Sequence, residues 1–231
     1  MNYIHSFLSD LSAQFDIITS RILHQAPPED GNPDSNKTPV LLIHGFMGIG
    51  SDWSVIQPEL QKAGYRVFTI DLGVPVCSID NYAKQVREKV EKIFQLAGKR
   101  EINLIGHSMG GVVARQYRYK YAQNANVLKI ITLASPLNGT KRAYLAPCIP
   151  AVREMLPNSK MLKFQREEAR KDNITDHYHL GVKDDVVVLP YTSAYKGEAK
   201  KRHIFELQNV GHTALVFEKT VADWICTCLE K

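Results

Sequence analysis

The sequence predicts an α/β fold: a mostly parallel central sheet with helices on both faces. Three observations carry this. Short, near-continuous apolar runs such as Val40-Leu41-Leu42-Ile43 lack a polar face, as expected of strands covered on both sides. Amphipathic helical patterns separate these runs, giving the alternation of a parallel sheet. At 231 residues and 26.1 kDa the chain can bury one sizeable core.

Taken in order, Ile4, Phe7, Leu8, Leu11, Phe15, Ile18 and Ile22 recur at helical spacing and predict an amphipathic N-terminal helix. Its polar face carries Asp10 and Asp16, which favours packing on the domain over lying on a membrane. Residues 24–38 are loop-like in composition, so the chain divides into a helix and loop over 1–38 and the main domain over 39–231. Val40–Ile43 is the first strand, Trp53–Ala63 a helix closed by Gly64, and Tyr65–Ile70 the second strand. Ser78 or Asp80 caps a long helix that buries Tyr82, Val86, Val90, Ile93, Phe94 and Ala97. Glu101–Ile105 and Val127–Ala134 are strands, with a helix over Val112–Tyr121 between them. Tyr178–Leu180 and Arg202–Leu207 complete the sheet, and Ala214–Leu229 is the closing helix.

One connection is too long. Ser135 and His177 are about forty residues apart, where a tight crossover needs about a dozen. Large apolar residues mixed with Pro147, Pro150 and Pro157 predict broken short helices. Starting after the strand that ends near Ser135, this insertion, over about 141–170, is expected to form a helical cap or lid over the sheet edge.

The net charge of +5 comes without a dense Lys/Arg run, so no nucleic-acid partner is expected. The first 20 residues hold no Lys or Arg and no continuous apolar stretch, which argues against a secretory signal peptide. No run is long enough for a transmembrane segment. Cys77, Cys148, Cys226 and Cys228 lack zinc-type spacing and read as buried reduced thiols, pointing to the cytoplasm.

The chemistry is concentrated at Gly106-His107-Ser108-Met109-Gly110, which fills the pattern G-x-S-x-G. A strand precedes it and a helix follows, as a nucleophile elbow requires. A serine hydroxyl is a poor nucleophile unless a base oriented by a carboxylate lies within hydrogen-bond reach. After an elbow of this kind the partners follow in the order serine, acid, histidine. Lone histidines are most often surface or packed residues, but Val210-Gly211-His212 stands in a loop just before the final helix, which singles out His212 as the base.

The acid lies in Gly181-Val182-Lys183-Asp184-Asp185. Adjacent residues on an extended turn point in opposite directions, so only one can face His212. Asp184, at the expected tip of the turn, is preferred. Asp185 is then a solvated turn residue or a support for the acid. Backbone N–H donors for an oxyanion are expected from Met109, after the nucleophile, and from Phe46 in His44-Gly45-Phe46-Met47-Gly48.

Together these residues resemble the α/β-hydrolase superfamily, in particular its lipases and carboxylesterases, from about Pro39 to Trp224. Thr132-Leu133-Ala134-Ser135-Pro136-Leu137-Asn138-Gly139-Thr140 is similar to a T-L-x-(S/T)-P-H-x-G-T segment of many bacterial lipases, with Leu137 replacing histidine. The resemblance implies acylation of Ser108, His212 as general base and then acid, Asp184 orienting it, and Phe46 and Met109 as the oxyanion hole. It implies a small-molecule or lipid ester as substrate, with transient membrane-surface contact compatible. Some relatives bind calcium near the histidine. No such signature is present, and no metal or cofactor is expected. A thioesterase or acyltransferase would use the same triad, and an inactive binding module is the remaining alternative.

Overall fold

The computed structural model describes residues 31–74, 76–122, 127–196 and 202–231. The N-terminal helix expected over Ile4–Ile22 lies outside the described residues. Six strands form one sheet: β1 (Val40–Ile43), β2 (Val67–Ile70), β3 (Ile102–His107), β4 (Val127–Leu133), β5 (Asp176–Val182) and β6 (Arg202–Leu207). Their spatial order is β2-β1-β3-β4-β5-β6, and every pairing is parallel.

Alternation along β1 explains its unbroken apolar run. Leu41 and Ile43 enter one core, while Val40 and Leu42 enter the other. The first core is covered by α2 (Ile79–Ala97), α3 (Met109–Lys120), α4 (Pro150–Glu154) and α5 (Lys160–Lys171). The second is covered by α1 (Ile56–Lys62) and α6 (Lys219–Glu230). The strand order therefore reverses between β1 and β3. Loops leaving those two strands part to opposite faces, opening the crevice where ligands of such sheets bind.

Several boundaries differ from those read in sequence. The first helix begins at Ile56, after a 3-10 turn over Gly50–Trp53. Pro58 explains the late start, because proline is tolerated only in a first turn, whose N–H groups have no intrahelical acceptor. Ser78 is the cap of α2: its side chain accepts from Asn81 N–H, and Gly98 at φ +65° ends the helix. Asp80 instead accepts hydrogen bonds from Gln116, Lys120 and Tyr121. The closing helix is split at Glu218, with a 3-10 turn over Ala214–Phe217 before α6.

The long insertion is indeed broken, into a 3-10 turn over Lys141–Leu145, α4 and α5. Much of it is bound to the domain. Leu137, Ala151, Met155 and Leu162 are buried in the first core. Gln165 donates to the Val112 carbonyl at 3.1 Å, and Ile79 N–H to Glu154 Oε2 at 2.6 Å. α5 is thus a sheet-covering helix packed on α3, whereas Tyr144 and Leu145 remain 62% and 76% exposed.

Among the described residues no helix is long and apolar enough to cross a membrane. The four cysteines are free thiols, but only Cys228 is buried and Cys148 is exposed. The expectation that all four are buried is corrected here: Cys148 sits in the exposed stretch ahead of α4, where no core reaches it.

Candidate active site

Ser108 stands between β3 and α3 with φ +52° and ψ −122°. That region is sparsely populated for a residue with a β-carbon and costs about 1–3 kcal/mol. The neighbouring sequence enforces it. A β-carbon on Gly106 would lie 2.3 Å from Gly111 N, and one on Gly110 only 2.1 Å from the Ile43 carbonyl oxygen. The elbow can therefore turn this sharply only with glycine at both places. Ser108 N–H is held by the Leu133 carbonyl at 2.8 Å, which anchors the turn to β4.

The loop after β1 runs beside this serine. A β-carbon on Gly45 would stand 3.0 Å from Ser108 Cβ, so a side chain here would crowd the nucleophile. Gly48 N–H donates to the Gly45 carbonyl at 3.1 Å, closing a turn over Phe46 and Met47, the latter at φ +59°. Phe46 is half-buried against the first core. Met109 is the first residue of α3, where an amide has no acceptor within its own helix. Met109 thus directly follows Ser108, and Phe46 follows the glycine that packs on it.

His212 lies in the loop after β6, 3% exposed. Its Nε2 is 2.9 Å from Ser108 Oγ and its Nδ1 is 2.8 Å from Asp185 Oδ2. The acid facing the histidine is thus Asp185, not Asp184. The reason is the turn: Asp185 N–H donates to the Val182 carbonyl at 3.2 Å, which folds Asp185 back toward His212. Asp185 is 1% exposed, and its other oxygen accepts from the N–H groups of Val187 and Val188 at 2.7 and 2.8 Å. Asp184 points away and accepts from Asn209 N–H at 2.9 Å, bracing the loop that carries His212.

Two further histidines, readable in sequence only as parts of the glycine motifs, lock the surroundings. His107 Nε2 donates to the His212 carbonyl at 2.9 Å, with the rings 5.0 Å apart. Burial, reinforced by the adjacent His212, lowers the His107 pKa to about 3 and keeps it neutral. His44 Nε2 accepts from Leu72 N–H at 2.9 Å, so its Nδ1 carries the proton and donates to the Gly45 carbonyl at 2.8 Å. That pair of bonds ties the loops after β1 and β2 together.

The acid loop is itself stapled to the start of the insertion. Thr140 Oγ1 donates to the Val187 carbonyl at 2.7 Å and accepts from Leu189 N–H at 3.0 Å. Arg142 Nε adds a bond to the Val186 carbonyl at 2.8 Å. No local sequence signal marks these contacts, because their partners are about 45 residues apart and meet only through sheet register. Among the described residues, no group of three or more His, Cys, Asp or Glu side chains could hold a metal ion.

A parallel sheet with this elbow at its carboxyl edge defines the α/β-hydrolase class, and the chain belongs to that family: residues 38–200 match the alpha/beta hydrolase fold. Among curated proteins it is similar to a triacylglycerol lipase of Pseudarthrobacter phenanthrenivorans, 29% identical over 117 residues, 47% of this chain and 36% of the relative. It is also similar to lysosomal thioesterase PPT2-B of Xenopus laevis, 28% identical over 121 residues, 49% of this chain and 42% of the relative. The matches thus span less than half the length of either relative. Among solved structures, the mature lipase BlEst2 of Bacillus licheniformis shares the fold with a TM-score of 0.68 at 18% identity, covering 88% of this chain and 96% of that one.

Proposed function

We propose that this protein is a serine hydrolase that cleaves carboxylic esters through an acyl-enzyme on Ser108. The observation that carries this is the hydrogen-bonded line from Ser108 through His212 to Asp185. Ser108 Oγ attacks the ester carbonyl while its proton passes to His212 Nε2. The new C–O bond places charge on the carbonyl oxygen, which the N–H groups of Phe46 and Met109 accommodate. One such donor contributes about 3 kcal/mol to transition-state stabilisation. Collapse breaks the bond to the alcohol, which leaves with the proton from Nε2. Water then repeats the sequence on the acyl-serine, releasing the acid and restoring Ser108. Asp185 holds Nδ1–H and so keeps Nε2 available as the acceptor.

Substrates with an apolar acyl portion fit the surroundings. Met47, Val74, Val76, Tyr144, Leu145 and Val187 are exposed, and all lie in segments that follow the carboxyl ends of strands. Such a rim also suits transient contact with a lipid surface. A thioester reading is favoured by the similarity to the Xenopus thioesterase. It needs the same acyl-enzyme and differs only in the leaving group.

Ser108→Ala tests the central claim. Turnover of p-nitrophenyl esters and labelling by a fluorophosphonate should both vanish while the circular dichroism spectrum is retained. Undiminished labelling would overturn it. Profiling esters against thioesters of graded chain length separates the two substrate classes.

A further inference from the structure

A concavity of about 380 Å³ is lined by neither Ser108, His212 and Asp185 nor Phe46 and Met109. It lies between α5 and the segments after β4 and β5. Its charged lining is of one sign: Lys141, Arg166, Arg170 and Lys196, with no carboxylate among the described residues. Away from the pocket, cations of this region are paired: Lys171 of α5 meets Glu168 at 2.7 Å, and Arg118 of α3 meets Asp172 at 3.0 Å. None of the four pocket cations joins an ion pair among the described residues. Arg166 and Arg170 are four residues apart on α5, so they project from one side of the helix over the pocket.

The floor is rigid before anything binds. Asn138 N–H donates to the Ser193 carbonyl at 3.1 Å, and its side-chain amide donates to the carbonyls of Ser193 and Lys196 at 3.1 and 2.5 Å. Ser193 Oγ in turn donates to the Gly139 carbonyl. Gly139, at φ +89°, permits this closure, since a β-carbon there would stand 2.6 Å from Pro157. The two loops that line the pocket are thereby stapled together, and a preorganised seat loses little freedom on binding.

We propose that this pocket binds a phosphate-bearing anion. Four cations around one concavity, with no counter-charge among the described residues that line it, repel one another, and an anion of about two charges relieves that repulsion. Two guanidinium forks and two ammonium groups match the several acceptor oxygens of a phosphate better than the two of a carboxylate. The site does not depend on the serine chemistry.

The test is titration calorimetry of the full chain with inorganic phosphate at constant ionic strength, alongside co-sedimentation with phosphatidylcholine vesicles with and without phosphatidic acid. Saturable phosphate binding is expected, weakened about tenfold or more in Arg166→Gln/Arg170→Gln. Lys163→Gln/Lys171→Gln removes equal charge from α5 outside the pocket and should bind as the wild type does. Ser108→Ala should bind normally too, which keeps this result separate from the fate of the esterase reading. Co-sedimentation with phosphatidic acid vesicles, displaced by free phosphate, supports a lipid headgroup as the ligand. Phosphate binding without vesicle binding supports a soluble phosphate compound. Absence of saturable phosphate binding, or equal losses in the two double variants, would overturn the proposal.

Discussion

Replacing Asp185 by asparagine removes one charge and reverses the polarity of the hydrogen-bonded line from Asp185 to Ser108. Asp185 Oδ1 accepts from two backbone amides at 2.7 and 2.8 Å, and Oδ2 faces His212 Nδ1 at 2.8 Å. The two amides can only donate, so an asparagine at 185 must keep its oxygen on them. Its NH₂ then faces Nδ1 and turns that nitrogen into an acceptor. The ring proton moves to Nε2, which lies 2.9 Å from Ser108 Oγ and can no longer take the serine proton. Losing the correct tautomer in this way costs about 10⁴-fold in kcat, or about 5.4 kcal/mol. Asp184→Asn keeps an oxygen for Asn209 N–H and should cost about 1 kcal/mol of stability, with less than a tenfold loss in kcat. Initial rates on a p-nitrophenyl ester and the rate of fluorophosphonate labelling measure both, with folding checked by circular dichroism. If Asp184→Asn proves the more damaging, the assignment of Asp185 is refuted.

Three further outcomes are expected. Gly110→Ala would place a β-carbon 2.1 Å from the Ile43 carbonyl oxygen, within backbone that cannot move aside; a loss of about 3 kcal/mol in urea unfolding is expected, and an unchanged midpoint would contradict the packing described. Below the ordinary histidine pKa of 6.5 the unfolded chain takes a proton that folded His107, at about 3, refuses. Its contribution is therefore intact above pH 6.5 and lost as pH falls toward 3, by up to about 5 kcal/mol, and His107→Gln should flatten that part of the stability–pH curve. Burial would raise the Asp172 pKa, but His177, the Thr175 and Ile174 amides and the Arg118 fork outweigh it and hold the carboxylate below its usual range. Asp172→Asn leaves the partly buried Arg118 without its counter-charge and should cost about 2 kcal/mol at neutral pH, with wild-type stability at this pair falling only in strong acid.

Much of the site could be read along the chain because each part sits beside a local signal. Gly106 and Gly110 announce a turn that tolerates no β-carbon, and the apolar run before Ser108 identifies the strand. His212 is marked by its place between the last strand and the last helix. The sheet was legible because strands covered on both faces leave no polar alternation, and Val40–Ile43 enters both cores. Helix ends were less legible: Glu218 and Pro58 act through backbone geometry that an apolar count does not register.

By itself, then, the sequence determined the parallel α/β architecture, the glycine-flanked elbow at Ser108 and the loop position of His212, since periodicity and turn chemistry act over a few residues. The choice between Asp184 and Asp185 belonged to tertiary structure. Both acids occupy one turn, and which one faces the histidine depends on how β5 and β6 bring Val182 and Asn209 alongside it. The insertion was decided the same way. Its apolar residues predicted short helices, but only the packing of Leu162 and Gln165 on α3 separates the part that builds the domain from the exposed part near Tyr144 and Leu145. Side-chain direction in a turn and burial of a helix face are set by what lies across the fold, and no local pattern encodes that.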